Sequence, residues 1–357
     1  MLVKIDLNSD LFNQIEKLVS EGKYEDFYQF LKIAINNQLQ EEKSEVNVSE
    51  KKIPESSANV KLNRLGQALQ QRIVNLITEV PLEKSEIIPP SKDLIWSFYT
   101  RFFPIKVAIR KLATLLYSEK KWIKLQDLQD EAFFSAEAIS DDLRGYEEDK
   151  SLPRNEKIST GLPLPKSELH GLRGGKKKKK EEKLNSSRIR FQEQIVGRPI
   201  KKDPPDFSGA CFEMGLMRVK FEDDECLVTL SETGYEFALM ENPILDSDEY
   251  IRAFSNEEIR FIKENIISKF QLENKIIELI MTELQSKELS ADEIDKIFEN
   301  EKLQYYHNLI TDTDFKQKLI NSSPSERVAM MGRLAELRIV HWNINKLGKS
   351  VYSLPEK

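Results

Sequence analysis

The sequence predicts a mainly α-helical protein with small β-sheets. Of its 357 residues, 39% are hydrophobic and 32% are charged, so there is enough apolar material to form cores beneath a polar surface. Most apolar residues recur at the three- and four-residue spacing of amphipathic helices, and only short stretches alternate as strands do. With only 13 glycines, glycine-rich phosphate loops and large β-barrels are disfavoured. The length predicts two or three domains.

The composition also excludes several classes of function. The only two cysteines, Cys211 and Cys226, rule out a disulfide framework and suit a reducing compartment. The three histidines lie far apart in the sequence and do not cluster with the cysteines, so no zinc site is expected. No apolar stretch approaches the roughly 18 residues of a membrane span. We therefore expect a cytoplasmic protein with no membrane partner.

No catalytic motif satisfies its own spacing requirement. The Gly-Lys-Ser at 348–350 lacks the glycine five positions earlier that a phosphate loop needs, because position 343 is Asn. Cys226 lies in a predicted strand with no histidine nearby, so a thiol catalyst is not indicated. We expect no catalytic residues, no metal ligands and no cofactor.

The chain opens with a short amphipathic strand. Val3, Ile5 and Leu7 alternate with Lys4 and Asp6, which is the period of a half-buried strand. A single strand needs a partner strand. The simplest arrangement is a two-fold dimer in which the strands of two chains pair.

Two short helices are predicted after this strand. Residues 8–10 supply N-cap chemistry, Gly22 ends the first helix, and a second begins near Tyr24. One strand and two helices in forty residues cannot close a core alone. We therefore expect an apolar dimer interface, formed by Val3, Ile5, Leu7, Phe30 and Ala34.

The order of strand, cap, helix, glycine and helix over residues 1–40 resembles the ribbon-helix-helix family. The resemblance implies that the paired strands lie in the major groove of DNA, where Lys4 would contact bases. However, Glu25 and Asp26 open the second helix and repel phosphate, and the segment has four lysines against six acidic residues. Base reading and dimerisation without DNA contact are both open.

A larger domain is predicted over residues 63–245, after a flexible polar linker at 41–62. It begins with a helix around 63–80 and a helical stripe at 105–118. Residues 121–150 are predicted to form a short strand, a helix, a turn and a second helix. A hairpin (216–221 and 226–230, joined by an acidic turn at 222–225) and a capped helix at 231–239 complete it. This order resembles winged-helix proteins of prokaryotes.

The middle of this domain contains a basic insertion at residues 164–202. It has thirteen Lys and Arg residues against four Glu, whereas residues 125–150 have nine acidic against two basic residues. The run Lys176–Lys180 has no apolar period and predicts a mobile basic arm. Residues 187–198 alternate and predict a strand or groove-binding segment. Such a cluster favours phosphate contact, and the alternative is a solvated charge run. The candidate DNA contacts here are Lys176, Lys177, Lys178, Lys179, Lys180, Arg188 and Arg190.

Residues 246–357 predict a second domain of the same kind. Ser255 with Glu258 and Ser290 with Glu293 are capping boxes, the first opening a helix to about residue 269. Helices are also predicted at 273–284 and 325–340, with residues 300–322 inserted, and two short strands follow within 341–354. The last part resembles the recognition-helix and wing segment of winged-helix proteins. Its candidate DNA contacts are Arg327, Arg333, Lys346 and Lys349.

These patterns together predict an N-terminal ribbon-helix-helix followed by two winged-helix-like domains. The expected function is non-enzymatic binding of double-stranded DNA by a homodimer acting as a transcriptional or locus-specific regulator. The alternative is an adaptor subunit that binds a further protein in a nucleic-acid-handling assembly, such as plasmid partition or antiviral defence. The acidic stretch 137–149 and the acidic start of the second N-terminal helix support that alternative.

Overall fold

A computed structural model describes residues 86–89, 91–117, 121–203, 205–309 and 312–355. Over these residues the protein is mostly helical and has three small sheets, which agrees with the predicted class. The ribbon-helix-helix predicted at 1–40, the linker predicted at 41–62 and the helix predicted around 63–80 lie outside the described residues. So do the site residues predicted there, Val3, Lys4, Ile5, Leu7, Phe30 and Ala34.

Two hydrophobic cores organise the described chain. The first is built almost entirely from residues 95–270, and the second from residues 272–352. We call residues 86–270 the first module and residues 271–353 the second module. The predicted boundary at 245/246 differs from this division, because Phe254, Ile262 and Phe270 pack in the first core.

The first module contains six strands and seven α-helices in its described part. Its elements are β1 (Glu86–Ile87), α1 (Phe103–Tyr117), β2 (Ile123–Lys124), α2 (Leu125–Asp149), α3 (Gly174–Arg190), β3 (Arg198–Ile200), β4 (Asp206–Ser208), α4 (Ala210–Glu213), β5 (Met217–Glu222), β6 (Glu225–Leu230), α5 (Glu232–Leu239), α6 (Pro243–Ser247) and α7 (Asn256–Phe261). A π-helical turn (Phe191–Val196) extends α3, and a π turn (Ile262–Ile266) and a 3-10 turn (Ile267–Lys269) extend α7.

Helix α1 is the centre of the first module. Its apolar stripe was predicted at 105–118, but burial extends further, since every residue from 101 to 113 is buried. Four of these buried residues are cations, Arg101, Lys106, Arg110 and Lys111, and a buried cation needs a partner. Lys106 forms an ion pair with Glu258 at 2.7 Å, and Arg110 forms one with Asp246 at 2.7 Å. These pairs connect α1 to α6 and α7.

The predicted hairpin of the first module is confirmed. Strands β5 and β6 pair antiparallel, and the turn between them is Asp223-Asp224, shorter than the four residues predicted. Both aspartates have positive φ (49° and 64°), as a two-residue type I′ turn requires. The Ser231 hydroxyl accepts a hydrogen bond from the Gly234 N–H and so forms the predicted cap of α5.

The predicted helix, turn and helix at 121–150 are wrong in one respect, because α2 is a single helix of 25 residues. No glycine or proline interrupts its first twenty residues, and Gly145 stays helical near its end. Small residues, Ala132, Ala136 and Ser140, are buried along its inner face, where α1 packs.

The second module contains three α-helices, a short 3-10 turn (His307–Leu309) and three strands in its described part. The predicted capping box of Ser290 with Glu293 is present here, and that of Ser255 with Glu258 is present in the first module. The elements are α8 (Gln271–Leu284), β7 (Leu289–Ser290), α9 (Ala291–Tyr305), α10 (Thr313–Glu336), β8 (His341–Ile344) and β9 (Ser350–Ser353).

Helix α10 begins twelve residues earlier than predicted, with the Asp312 carboxylate capping it through the Phe315 N–H. Pro324 lies inside the helix, where proline is normally unfavourable. The buried Lys302 ammonium donates hydrogen bonds to the Leu319 carbonyl and to the Ser322 hydroxyl at 2.6 Å in this region. Tertiary hydrogen bonds therefore support the stretch that the sequence suggested was an insertion.

The two modules share an element order and a strand order. In each, a helix, a short strand and further helices precede a hairpin, and the short strand pairs with the last strand of that hairpin. The sheet orders are β1-β5-β6-β2 in the first module and β7-β9-β8 in the second. The first module adds the edge strand β1 and the β3–β4 pair to this common plan.

Candidate nucleic-acid interface

The run Lys176–Lys180 lies in helix α3, so the prediction of a mobile arm is wrong. The predicted strand at 187–198 is also wrong, because it consists mainly of the end of α3 and its π-helical extension. The π-helical extension explains why the basic run is ordered, because Phe191, Ile195 and Val196 are buried in the first core and anchor the end of α3. Lysine and glutamate are good helix formers, so a helix anchored at one end propagates through the basic run.

One side of α3 is fastened to the acidic helix α2 and its neighbourhood. Arg188 forms an ion pair with Asp130 at 3.0 Å, and its guanidinium lies 4.7 Å from the Phe133 ring centre. Lys180 forms an ion pair with Glu168, which also binds Arg144 at 3.2 Å. Arg188 and Lys180 were both predicted to contact DNA. Their charges instead form ion pairs that hold α3 in place.

One exposed flank of α3 has a continuous row of cations. Lys176, Lys179, Lys183 and Arg190 follow at i, i+3, i+7 and i+14, so they lie within about 60° of one another around the helix axis and extend over about 21 Å. All four are exposed, and none forms an ion pair with a described residue. We call these four residues the basic stripe.

The remaining charges of α3 lie off this row. Glu181, Lys177 and Lys178 project to other sides of the helix, whereas Glu182 lies beside Lys179, three residues before it, at the edge of the row. The Lys177 ammonium is 4.0 Å from the Glu181 carboxylate. Neither glutamate forms an ion pair with a residue of the basic stripe in the described structure.

The electrostatics at the start of α3 favour an anion. No acidic residue lies in the first turn, and Arg173 provides no side-chain cap. Lysines near a helix N-terminus meet the positive end of the helix dipole, which is unfavourable without a neighbouring negative charge. The unpaired N–H groups of the first turn and the lysines next to them suit a phosphate group.

Arg333 is not positioned to contact DNA, which corrects the prediction. It is 2% exposed, and its Nη2 lies 2.5 Å from Glu273 Oε1. Its Nη1 donates to the Tyr99 carbonyl, and Glu273 Oε2 accepts from the Ile95 N–H at 2.7 Å. Arg333 thus joins the second module to residues 95–99 of the first.

Arg327 is also engaged within the protein. Its Nε lies 2.7 Å from Asp295 Oδ1, and its Nη1 lies 3.3 Å from the Tyr352 hydroxyl. Asp295 and Tyr352 fix the guanidinium against α9 and β9. Sequence spacing showed the charges of α10 but not which side of the helix faces the core.

The hairpin turn of the second module presents the other predicted cations. Lys346 and Lys349 are exposed, with no ion pair to any residue that the structure describes. The Asn345 side-chain oxygen accepts hydrogen bonds from the Leu347 N–H (2.9 Å) and the Lys349 N–H (3.0 Å). These bonds hold the two lysines on a defined turn.

The described residues offer little for metal or thiol chemistry. No group of His, Cys, Asp and Glu among them has the arrangement to hold a metal ion. Burial raises the pKa of the Cys226 thiol to about 12 and raises that of Cys211 as well. A reactive thiolate is therefore disfavoured at neutral pH. None of the described helices has the length and apolarity to cross a membrane.

Comparison with protein-family models, with curated proteins and with solved structures gives no match to this chain. The residues that sequence reasoning missed are chiefly Lys183 and the grouping of Lys176, Lys179 and Arg190 with it. Their three-, four- and seven-residue spacing was visible in the sequence, but it has meaning only once the segment is known to be helical.

Proposed function

We propose that this protein is a non-enzymatic DNA-binding protein whose first module contacts the phosphate backbone through the basic stripe. The observation that carries this proposal is the row of four exposed cations on one face of α3, without an ion-pair partner among the described residues. The whole chain has a net charge of −6, so this local concentration of positive charge is not a consequence of overall composition.

The element order supports a more specific assignment, in which each module is a winged-helix unit. That fold places a recognition helix in the DNA and a hairpin wing beside it. In the first module α3 follows α2 in the chain and carries the stripe, and in the second module the turn with Lys346 and Lys349 takes the place of the wing. Helix and wing cations would then both hold phosphates.

The energetic role of the stripe is counterion release. Each phosphate neutralised by a lysine or arginine releases condensed cations and contributes about 0.9 to the slope of log affinity against log salt. Four such contacts give a slope contribution of about 3.6. This attraction does not depend on base sequence, so a specific regulator also needs base contacts.

The dimeric part of the proposal rests on the N-terminal segment, which lies outside the described residues. A ribbon-helix-helix at 1–40 would join two chains and duplicate the stripes, as expected of a transcriptional or locus-specific regulator in the cytoplasm. Lys4 would then add a contact in the major groove. Light scattering tests the dimer, because Ile5→Lys should halve the mass if the strands pair.

The adaptor alternative finds less support in α2 than its charge suggested. Within 137–149 the buried Glu147 accepts two hydrogen bonds from Ser159, and Asp141 accepts one from the Ser167 hydroxyl at 2.5 Å. These carboxylates serve the fold of the first module. A partner protein would meet only the remaining acidic groups of this helix.

Fluorescence anisotropy with a labelled duplex tests the DNA-binding proposal with a matched pair of variants. Lys179→Ala with Lys183→Ala removes two charges from the stripe, and Lys177→Ala with Lys178→Ala removes two from other sides of the same helix. At low salt we expect the stripe variant to lose at least tenfold more affinity than the control. Equal losses would show that the face does not matter, and no binding by the unmodified protein would refute the proposal.

A further inference from the structure

A cleft of about 620 Å³ lies between the two modules. None of the residues that line it belongs to the basic stripe. Residues from α2, from the segment after it and from residues 250–253 line one side, and the end of α10 and the start of β8 line the other. This volume is within the range of small-ligand sites, about 300–1,000 Å³.

The most informative lining residue is Arg101, which has an unusual environment. Arg101 is only 5% exposed, yet it forms no ion pair with a described residue. Its one hydrogen bond within the described structure goes to the neighbouring Thr100 carbonyl, at 3.2 Å. A guanidinium has five N–H donors, so most of the donors of Arg101 are not used by the protein.

The surroundings leave the charge of Arg101 only partly compensated. Burial lowers its pKa, the nearby charge of Arg333 lowers it further, and Glu336 opposes both effects. Glu336 compensates the charge of Arg101 only in part, because its carboxylate accepts hydrogen bonds from the Phe102 N–H at 2.6 Å and the Phe103 N–H at 3.2 Å. Arg333 is committed to Glu273.

Arg101 is also given room by a glycine of the facing helix. A Cβ atom at Gly332 on α10 would lie 2.5 Å from Arg101 Nη1 and 3.1 Å from the Thr100 carbonyl oxygen. The second module thus has no side chain at the one point where it would displace this guanidinium. The cleft therefore presents a positioned cation.

Aromatic rings line the same cleft. Tyr146 and Tyr250 lie with ring centres 5.7 Å apart, and Trp342 lines the opposite module. The Trp342 indole N–H donates to the Ser350 hydroxyl at 3.1 Å, which fixes its orientation. Flat apolar faces next to a buried cation suit a ligand that combines a planar ring with an anionic group.

We propose that this cleft binds a free nucleoside phosphate, with a phosphate group held by Arg101 and the base lying among Tyr146, Tyr250 and Trp342. Guanidinium groups bind phosphate oxygens through two parallel hydrogen bonds, which the unused donors of Arg101 can supply. Because the lining residues come from both modules, the bound nucleotide stabilises one relative position of the modules. This inference does not depend on DNA binding.

Isothermal titration calorimetry tests it with ATP, GTP, CTP and UTP as the first probes, followed by adenosine and inorganic tripolyphosphate. We expect one site per chain for at least one of the four nucleotides. The nucleoside alone and tripolyphosphate alone should each bind at least tenfold more weakly. Arg101→Gln should weaken nucleotide binding at least tenfold while circular dichroism shows a folded protein.

Two further variants keep the test decisive if Arg101→Gln does not fold. Tyr250→Leu removes a half-buried ring of the cleft and should also weaken nucleotide binding, whereas Lys179→Ala with Lys183→Ala should leave it unchanged. Absence of binding by all four nucleotides would overturn the inference. So would binding that disappears in the Lys179 and Lys183 variant, which would place the phosphates on the basic stripe, or tighter competition by a short single-stranded oligonucleotide.

Discussion

The two modules share a strand order but place their positive charge on different elements. In the first module a row of exposed cations lies on helix α3, and the hairpin turn is acidic, with Glu222, Asp223, Asp224 and Glu225 in sequence. In the second module the turn carries Lys346 and Lys349, while the predicted contacts of α10 are engaged internally. Two modules with the same strand order can therefore carry their exposed positive charge on different elements.

The difference has a structural cause. Turn residues and the outer face of a helix make few core contacts, so their charges can vary without loss of packing. The inner face of a helix is constrained, and a charge placed there must find a partner. Arg333 illustrates this constraint, because its buried guanidinium is matched by Glu273. Helix charge in the second module therefore stabilises the protein.

The largest expected effect tests that assignment through Arg333→Ala. Removing one partner of a buried ion pair leaves the other unpaired and costs about 3–5 kcal/mol. We therefore expect this loss in the free energy of unfolding, measured with urea. Arg338→Ala is the control, because Arg338 is exposed and its one hydrogen bond within the described residues goes to the Ile251 carbonyl, at 2.8 Å. An Arg333 variant that keeps its stability but loses DNA affinity would contradict this assignment, because it would show that Arg333 contacts DNA.

The contact between modules should also depend on pH through Glu336. Burial raises the pKa of this carboxyl to about 7, from an ordinary value of 4.5. Between pH 4.5 and about 7 the folded protein keeps a proton on Glu336 that the unfolded chain releases. The stability that this group contributes is therefore fully present below pH 4.5 and is lost as the pH rises through 7.

The measurement is urea unfolding of the protein and of Glu336→Gln at pH 5 and pH 8. The unmodified protein should lose on the order of 1–3 kcal/mol more stability between these pH values than the variant does. Glu148→Gln, at an exposed position near the end of α2, should behave like the unmodified protein. Identical pH profiles for all three proteins would argue against a perturbed Glu336.

The lysines of the second hairpin sharpen the comparison at an intermediate scale. Lys346→Ala with Lys349→Ala removes up to two phosphate contacts, so the salt slope of DNA binding should fall by up to about 1.8. Anisotropy titrations at several salt concentrations measure this slope. Lys263→Ala with Lys269→Ala removes the same charge from exposed positions at and after the π turn that follows α7. Equal slopes for both pairs would mean that this hairpin does not face DNA.

The smallest expected effect concerns the acidic hairpin of the first module. Asp223→Asn with Asp224→Gly gives a sequence that favours the type I′ turn already present, and it removes two negative charges. We expect the free energy of unfolding to rise by about 0.5 kcal/mol. DNA affinity should increase slightly if this hairpin approaches phosphate. A loss of stability would show that the aspartates make contacts needed by the turn.

The sequence predicted local features well and long-range features poorly. The Ser231 cap, the capping boxes at Ser255 and Ser290, and both hairpins depend on a few neighbouring residues, and all are present. The basic helix was missed because its order comes from Phe191, Ile195 and Val196, which pack beyond the charged run. The roles of Arg327 and Arg333 depend on partners 32 and 60 residues away.

The most direct test of the central claim is the salt dependence of DNA binding for a variant that lacks the whole basic stripe. Lys176, Lys179, Lys183 and Arg190 are replaced together by Ala, and duplex affinity is measured across a series of salt concentrations. If the stripe holds four phosphates, the slope of log affinity against log salt falls by about 3.6 relative to the unmodified protein. An unchanged slope would contradict the proposal that this face of α3 binds DNA.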